Sequence, residues 1–199
     1  MTSIRLNPAR TAVVAMDLQP TILAGVNDQS YQILGKAEKV LAEARKVGAL
    51  VVHVGVAFRD GYPEVNSRNK MFSAIKERGV LIQGKAGSEL HPLSLAESST
   101  VREREPCVYK RRVGAFSDTD LEAILRARDI DTIVLFGVAT SGVVLSTLRV
   151  AADKDYHCLV VHDACADSDD EVHRVLVEKV FPKQADVLST EEVIAAFQR

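Results

Sequence analysis

The chain has few cysteines, no long apolar run and no excess of charge of either sign, and each absence excludes a class of protein. Its three cysteines, Cys107, Cys158 and Cys165, lack Cys-x-x-Cys spacing and are odd in number. A cysteine zinc site and a disulfide framework are therefore not expected. No apolar stretch approaches the roughly 20 residues that span a bilayer, and Met1–Leu6 lacks the apolar core of a signal peptide. We expect a protein of the reducing cytoplasm.

The balance of charge gives no reason to expect a polyanionic partner. The chain carries 25 basic and 27 acidic residues, a formal net charge of −2. Basic runs such as Lys110–Arg112 are too short to change this balance. We therefore expect neither nucleic acid nor a membrane surface as a partner. A length of 199 residues suits one domain, residues 1–199, with a sizeable core.

Short apolar runs that alternate with helical patterns predict an α/β fold. Continuous runs rich in β-branched residues are typical of parallel strands that are buried on both faces. The runs are Thr11–Met16, Ala49–Val56, Pro106–Tyr109, Thr132–Phe136, His157–Val161 and Ala185–Leu188. The prediction is a three-layer αβα sandwich around a mainly parallel, Rossmann-like sheet of six strands.

Apolar residues at three- and four-residue spacing predict the helices between these strands. The predicted helices are Tyr31–Val47, Asp118–Ala127, Ser141–Asp153, Asp169–Phe181 and Thr190–Phe197. Gly48 is placed to end the first. Asp118 and Asp169 are N-cap candidates, and Ser189 with Glu192 has the spacing of a capping box.

The segment Ala57–Glu105 interrupts the alternation. It contains Gly61-Tyr62-Pro63, Gly84, Gly87 and Pro92 and has only one short predicted helix, near Lys70–Glu77. Long irregular segments in compact domains are commonly functional. We expect this one to be a lid, a subunit contact or a wall of the substrate site.

Candidate functional residues follow several of the predicted strands. Asp17, Lys110, Gly137–Val143 and Asp163 all fall at carboxyl ends of strands, where ligands of parallel sheets bind. Taken alone, Asp17 could be a turn or cap residue and Lys110 a surface cation. Together they favour a proton-transfer pair in which both groups stay charged.

The segment Gly137–Gly142 offers backbone N–H groups at a predicted helix start, where an anion or oxyanion binds. It lacks the Gly-Lys-Ser/Thr of a phosphate loop, and no Gly-x-Gly-x-x-Gly follows the first strand. Nucleotide binding is therefore not supported. Ser141 and Thr140 are interpreted as cap residues, because no histidine is spaced to activate them.

The remaining candidates have structural interpretations of equal or greater weight. All three cysteines are expected in the core; the alternative for Cys165 is a place at the functional edge of the sheet. Arg59, Arg112 and Tyr62 are either contacts to an anionic or polar substrate or ordinary surface residues. His53 lies within a strand and His91 stands alone before Pro92, so we expect no metal and no cofactor.

Three motifs in order along nearly the whole chain resemble the isochorismatase-like cysteine hydrolases, which include nicotinamidases, N-carbamoyl amidohydrolases and isochorismatases. Asp17-Leu18-Gln19 resembles the family's Asp-x-Gln, which supplies the catalytic acid/base. Lys110–Phe116 resembles its Lys-x-x-x-Ser-Ala-Phe, whose lysine is catalytic. Gly137–Thr140 followed by Ser146-Thr147 resembles the Gly-x-x-Thr…Thr frame around the nucleophilic cysteine.

The resemblance implies further properties of the same residues. It implies a cis peptide at Val138–Ala139 and an oxyanion or substrate site formed by Ala139, Thr140, Gly142, Val143 and Gln19. It also implies a small-molecule substrate and a homodimer or homotetramer. The metal ligands of nicotinamidases are not recognisable here.

The chain departs from the family at the nucleophile itself. Val143 occupies the cysteine position, six residues after Gly137. The family's isochorismatases also lack this cysteine; they carry glycine and cleave a vinyl ether through protonation by the aspartate. We therefore expect a hydrolase of a vinyl ether, amide or carbamate that uses Asp17, Lys110 and water. The alternative is a catalytically silent binding or subunit-interaction module, because the side chain of Val143 fills the space that a thiol or water needs.

Overall fold

The computed structural model describes residues 4–26, 29–96 and 99–199, which include an all-parallel, six-stranded sheet. The strand order is β3-β2-β1-β4-β5-β6. The strands are β1 Thr11–Met16, β2 Leu50–Val56, β3 Cys107–Lys110, β4 Thr132–Val138, β5 His157–Ala166 and β6 Asp186–Leu188. The predicted α/β fold with a Rossmann-like parallel sheet is confirmed.

Helices connect the strands and flank the sheet. They are α1 Pro20–Leu23, α2 Gln29–Val47, α3 Lys70–Arg78, α4 Ser99–Arg102, α5 Leu121–Arg126, α6 Leu145–Asp153, α7 Asp170–Val175 and α8 Thr190–Phe197. Among these described helices, none is long and apolar enough to cross a membrane.

Local chemistry sets the ends of these helices, and two of the three predicted N-caps are confirmed. Asp169 accepts hydrogen bonds from the second and third residues of α7, and Ser189 forms the capping box with Glu192. The prediction for Asp118 is wrong. Its backbone is left-handed, with φ 56°, and α5 begins three residues later at Leu121. A left-handed residue cannot enter a right-handed helix, so the turn delays the start.

The interior strands β1 and β2 are buried along their whole length, as expected of a sheet covered on both faces. The edge strand β3 alternates between exposed and buried positions. Cys107 is consequently exposed, so its expected place in the core is wrong. Cys158 and Cys165 are buried, which confirms their expected positions.

Strand β5 is five residues longer than the predicted His157–Val161 run. A shift of register between Leu135 and Gly137 lets β5 continue beside the end of β4, where Gly137 pairs with Cys165. Asp163 therefore lies within the strand, and its predicted place at the functional edge is wrong. Its carboxylate instead accepts hydrogen bonds from Thr190 and forms an ion pair with Lys36.

The segment Ala57–Glu105 contains a small apolar cluster of its own. Val56, Phe58, Tyr62, Phe72 and Leu81 are buried together, and Ile22 of α1 is among the partly buried residues packed against them. This cluster attaches the segment to the chain that leaves β1.

A buried ionic cluster anchors the far end of the same segment. Arg45 of α2 donates two hydrogen bonds to the carboxylate of Glu105, at 2.7 and 3.0 Å. His53 of β2 lies 2.8 Å from the same carboxylate. Burial alone would raise the pKa of Glu105, but these hydrogen bonds outweigh it and lower the pKa to about 2.

We expect Glu105→Gln to lower the free energy of unfolding at pH 7 by about 2 kcal/mol, because Arg45 and His53 lose a charged acceptor. The pKa of Glu105 is lower in the folded state, so its contribution is complete above about pH 4.5 and disappears as pH falls towards 2. Urea unfolding across this range measures the difference, which should shrink in acid. The exposed neighbour variant Glu103→Gln is the control; an equal loss in both variants would contradict the assignment.

Candidate active site

The centre of the site is a buried ion pair that reaches across the end of β2. Asp17 directly follows β1, and Lys110 is the last residue of β3, on the other side of β2 in the sheet. Nζ of Lys110 lies 2.8 Å from Oδ2 of Asp17, and the two side chains are 3% and 7% exposed. The predicted contact between the acid and the amine is therefore confirmed.

The second carboxylate oxygen of Asp17 has no such partner. Oδ1 is buried and makes no hydrogen bond within the described residues. Burial raises the pKa of Asp17, and the opposing attraction of Lys110 does not cancel it. Asp17 therefore binds its proton more tightly than an exposed aspartate does, and the expectation that both groups stay charged stays a prediction.

Gln19 fixes the turn that carries Asp17. Its side-chain amide donates to the carbonyls of Val56 and Ser88, at 3.0 and 2.5 Å. Its Oε1 accepts from the N–H of Val56 at 2.8 Å. A Cβ at Gly55 would press on this amide at 3.3 Å, so the small residue in β2 leaves room for it. The contacts of Gln19 are those of a positioning residue, and its contact with substrate stays a prediction.

The end of β4 approaches the end of β1 closely. Gly137 has φ 142°, and a Cβ there would overlap the carbonyl oxygen of Met16. Only glycine fits this approach. One residue further along the chain, the Val138–Ala139 peptide bond is cis, as the resemblance implied.

The turn after the cis peptide uses some of its own backbone donors. The N–H of Gly142 donates to the carbonyl of Ala139 at 3.1 Å, so in this geometry it is not free for an oxyanion. The N–H of Ser141 donates to Oδ2 of Asp167 at 2.7 Å. A carboxylate of the chain itself therefore already lies at this helix start. Oxyanion contacts from Ala139, Thr140 and Val143 stay predictions.

Val143 faces the interior of the protein. It lies in the π turn Thr140–Val144, is 2% exposed, and belongs to the main apolar core. Neither Ser141 nor Thr140 caps this turn with its side chain, so their predicted cap roles are wrong.

The turn brings Thr140 to a histidine that sequence reasoning missed. Oγ1 of the fully buried Thr140 lies 2.8 Å from Nδ1 of His173 in α7. The expectation that no histidine serves this turn is therefore wrong. The signal was weak because 33 residues separate the pair. The N-cap at Asp169 correctly predicted where α7 begins, but it gave no sign that α7 packs against this turn.

Burial and the nearby His162 lower the pKa of His173, although Asp167 and Asp170 oppose them. Nδ1 of a neutral imidazole can accept a hydrogen bond from the hydroxyl of Thr140. The hydrogen bond between Thr140 and the neutral imidazole of His173 therefore holds the cis-peptide turn against α7.

The other predicted contacts are engaged within the protein. Arg59 pairs with Glu64 at 2.9 Å, Arg112 donates to the carbonyl of Arg111 at 2.6 Å, and the hydroxyl of Tyr62 donates to the carbonyl of Val80 at 2.7 Å. These side chains consequently serve the fold of the irregular segment.

Neither the buried thiols nor a metal cluster adds to the site. Burial raises the pKa of Cys158 to about 11 and that of Cys165 to about 12. Both are therefore protonated and unreactive at neutral pH. Within the ranges that the structure describes, no three histidine, cysteine or acidic side chains are placed to hold a metal ion.

Two cavities flank the site. One, of about 320 Å³, is lined partly by Val138 and Ala139. The other, of about 410 Å³, is lined partly by Ala57 and Tyr109, beside Lys110. Asp17 and Lys110 lie buried between these elements and form part of neither lining.

We expect His173 to titrate below pH 6.5 in an NMR titration, with its signal identified by its loss in His173→Gln. Because the folded state binds this proton more weakly, the free energy of unfolding should fall as pH drops below about 6.5. The same variant should flatten this dependence, whereas His91→Gln should retain it. A midpoint at or above 6.5 would contradict the assigned environment.

Comparisons with known proteins agree with this geometry. The model of the isochorismatase domain family matches residues 11–192. The isochorismatase family protein YwoC of Bacillus subtilis (strain 168) is 34% identical over 197 residues, which cover 98% of this chain and 97% of YwoC.

Solved structures share the fold. A cysteine hydrolase from Pseudomonas syringae pv. phaseolicola 1448A superimposes with a TM-score of 0.86 at 24% identity, over 97% of this chain and 94% of that one. N-carbamoylsarcosine amidase from Thermoplasma acidophilum superimposes with a TM-score of 0.74 at 26% identity, over 92% and 97% of the two chains.

Proposed function

The chain belongs to the isochorismatase family, and from this premise we propose that it hydrolyses a vinyl ether, amide or carbamate bond of a small molecule without a cysteine nucleophile. The observation that carries the proposal is the buried contact between Asp17 and Lys110. It leaves Oδ1 of Asp17 without a partner. A buried carboxyl group with one free oxygen is suited to transfer a proton to or from a bound substrate.

Each group has a defined role in this reaction. Protonated Asp17 gives its proton to the terminal vinyl carbon of an ether, which leaves an oxocarbenium ion, or to the nitrogen of an amide or carbamate. Lys110 stabilises the carboxylate that remains, and water adds to the electron-poor carbon. The proton that the added water loses restores Asp17. The adduct then breaks its C–O or C–N bond: the hemiketal passes its hydroxyl proton to the leaving oxygen and releases an alcohol, and the amide or carbamate adduct releases its already protonated nitrogen as the amine. General acid–base catalysis of this type contributes roughly 10²–10⁴-fold to the rate.

The N-carbamoylsarcosine amidase among the structural neighbours supports a C–N bond as the target. The raised pKa values of Cys158 and Cys165 support a mechanism that does not depend on either of these two thiols.

A catalytically silent module is the second candidate, and the burial of Val143 favours it. The valine belongs to the main core, so its side chain closes the position from which the family's cysteine acts. In this case Asp17 and Lys110 remain as a structural ion pair within a small-molecule or subunit binding protein.

We expect Asp17→Asn to lower kcat by roughly 10²–10⁴-fold on the vinyl ether, amide or carbamate that the wild type turns over. Since Asp17 acts in its protonated form and burial raises its pKa, wild-type activity should fall as pH rises through that raised pKa. The variant should lack this limb. Asp155→Asn is a matched control, because Asp155 is exposed and has the same left-handed backbone, φ 63° against 55°. Wild-type turnover with no loss in Asp17→Asn would refute the role of Asp17.

We expect Val143→Cys to gain amidase or carbamate hydrolysis that iodoacetamide abolishes, because the remaining frame of the family is present. Val144→Cys, one residue further into the buried turn, should gain none. Activity is measured by release of ammonia or amine. An inactive wild type together with an inactive Val143→Cys would support the silent module instead.

A further inference from the structure

A further cavity lies at the edge of the sheet opposite to Asp17 and Lys110. It has a volume of about 580 Å³ and is lined by residues 48–51, at the start of β2, and by residues of the chain that precedes β3. Since β2 has seven residues, at about 3.3 Å per residue its two ends lie about 20 Å apart. A ligand in this cavity is therefore too far from Asp17 to take part in a reaction at the other edge.

Arginines from three parts of the chain line this cavity. Arg45 lies on α2, Arg104 in the turn between α4 and β3, and Arg128 in the turn after α5. Arg45 donates two hydrogen bonds to the carboxylate of Glu105, which lies on the same wall. Arg45 and Glu105 together therefore add no net charge to the cavity.

The other two arginines are left for a group that the protein does not supply. Arg104 and Arg128 are exposed, and within the described part of the chain neither guanidinium forms an ion pair. By contrast, Arg126, two residues before Arg128, pairs with Glu122. The remaining acid among the described lining residues is the exposed Glu103. Two positive charges and one negative charge are thus free at the cavity.

The backbone of β2 adds a hydrogen-bond donor to the same wall. The N–H of His53 donates to the carbonyl of Pro106 at 2.9 Å, on the side of β3. Val51 lies two residues earlier, so its N–H points to the same side. β3 pairs with β2 only from His53 onward, which leaves no strand of the described sheet beside Val51. The N–H of Val51 therefore faces the cavity that this residue lines.

We propose that this cavity binds an organic phosphate, of the size of a sugar phosphate or a nucleoside monophosphate. A phosphate monoester carries about 1.5 to 2 negative charges at pH 7, which matches the two free guanidinium groups, whereas a single carboxylate would leave one of them unpaired. Arginine binds phosphate oxygens through two parallel hydrogen bonds, and the N–H of Val51 supplies a further donor.

The size of the cavity requires that the phosphate carry an organic group. At about 30 Å³ for each water-sized group, the space holds roughly twenty such groups, far more than inorganic phosphate occupies. Leu50 and Val101 give the organic part an apolar wall. The proposal does not depend on the proposed reaction, because the two sites lie at opposite edges of the sheet.

Direct binding tests the proposal without turnover. The probes are ribose 5-phosphate and AMP, with ribose, adenosine and inorganic phosphate as matched controls, titrated by calorimetry in low-salt buffer, since salt screens exposed charges. Wild type should bind at least one ester more tightly than its dephosphorylated form and than inorganic phosphate. Arg104→Gln and Arg128→Gln should each weaken that ester about tenfold or more, because each removes a charged hydrogen-bond donor.

Two further variants assign the effect to the cavity. Arg126→Gln removes the same charge two residues from Arg128, at an exposed side chain that does not line the cavity, and should bind like the wild type. Glu103→Gln removes the free acid from the wall and should tighten the ester about two- to fivefold, the effect of one exposed charge pair.

The outcomes separate this site from the proposed reaction. Failure of every ester to bind the wild type, or affinities of Arg104→Gln and Arg128→Gln equal to that of the wild type, overturns the proposal. An equal loss in Arg126→Gln also overturns it, because the effect would then come from the overall charge of the protein. Asp17→Asn should keep full affinity for the ester whatever its activity; a loss of affinity there would place the ester at the other edge and refute the proposed site.

Discussion

The contact between Asp17 and Lys110 is the constraint on which the functional edge of the sheet depends. Asp17 and Lys110 lie at the ends of β1 and β3, which are separated by β2. These strands must therefore end at positions along the sheet from which the two side chains can meet across β2. The left-handed backbone at Asp17, the small Gly55 in β2 and the amide of Gln19 between β2 and Ser88 all serve this meeting. A buried charge pair is costly to break because either partner alone would be left unpaired in an apolar interior. The arrangement therefore keeps an acid inside the protein with one oxygen still free.

A second set of contacts holds the opposite wall of the site. Gly137 permits β4 to reach the end of β1, and the cis peptide then turns the chain towards α7. There the Thr140 hydroxyl meets His173, and the N–H of Ser141 meets Asp167. Because Val143 belongs to the main apolar core, this wall is continuous with the core. The cis-peptide turn is thus maintained by polar contacts around an apolar residue, Val143.

The sequence was sufficient to predict the fold because hydrophobic burial acts locally and repeatedly along the chain. The wholly buried β1 and β2 produced the clearest runs, and the caps at Asp169 and Ser189 depend on neighbours within three residues. The pair Asp17 and Lys110 could be predicted because the ends of parallel strands share one edge.

What the sequence did not reveal depends on contacts between distant segments. The register shift beside Gly137 lengthens β5 and removes Asp163 from the edge, and no local pattern marks it. His173 reaches Thr140 only after α7 has packed. Cys107 lies in an apolar run, but this run forms an edge strand. Whether a run becomes an edge strand depends on the order of the strands in the sheet.

The order of the strands also bears on how copies of this chain can assemble. The two edges of the sheet are β3, with four residues, and β6, with three. Such short edges expose few unpaired backbone groups, so a sheet that continues from one copy into the next would gain little. Self-association through side chains of the irregular segment would place a neighbouring subunit beside the cavity that Val138 and Ala139 line.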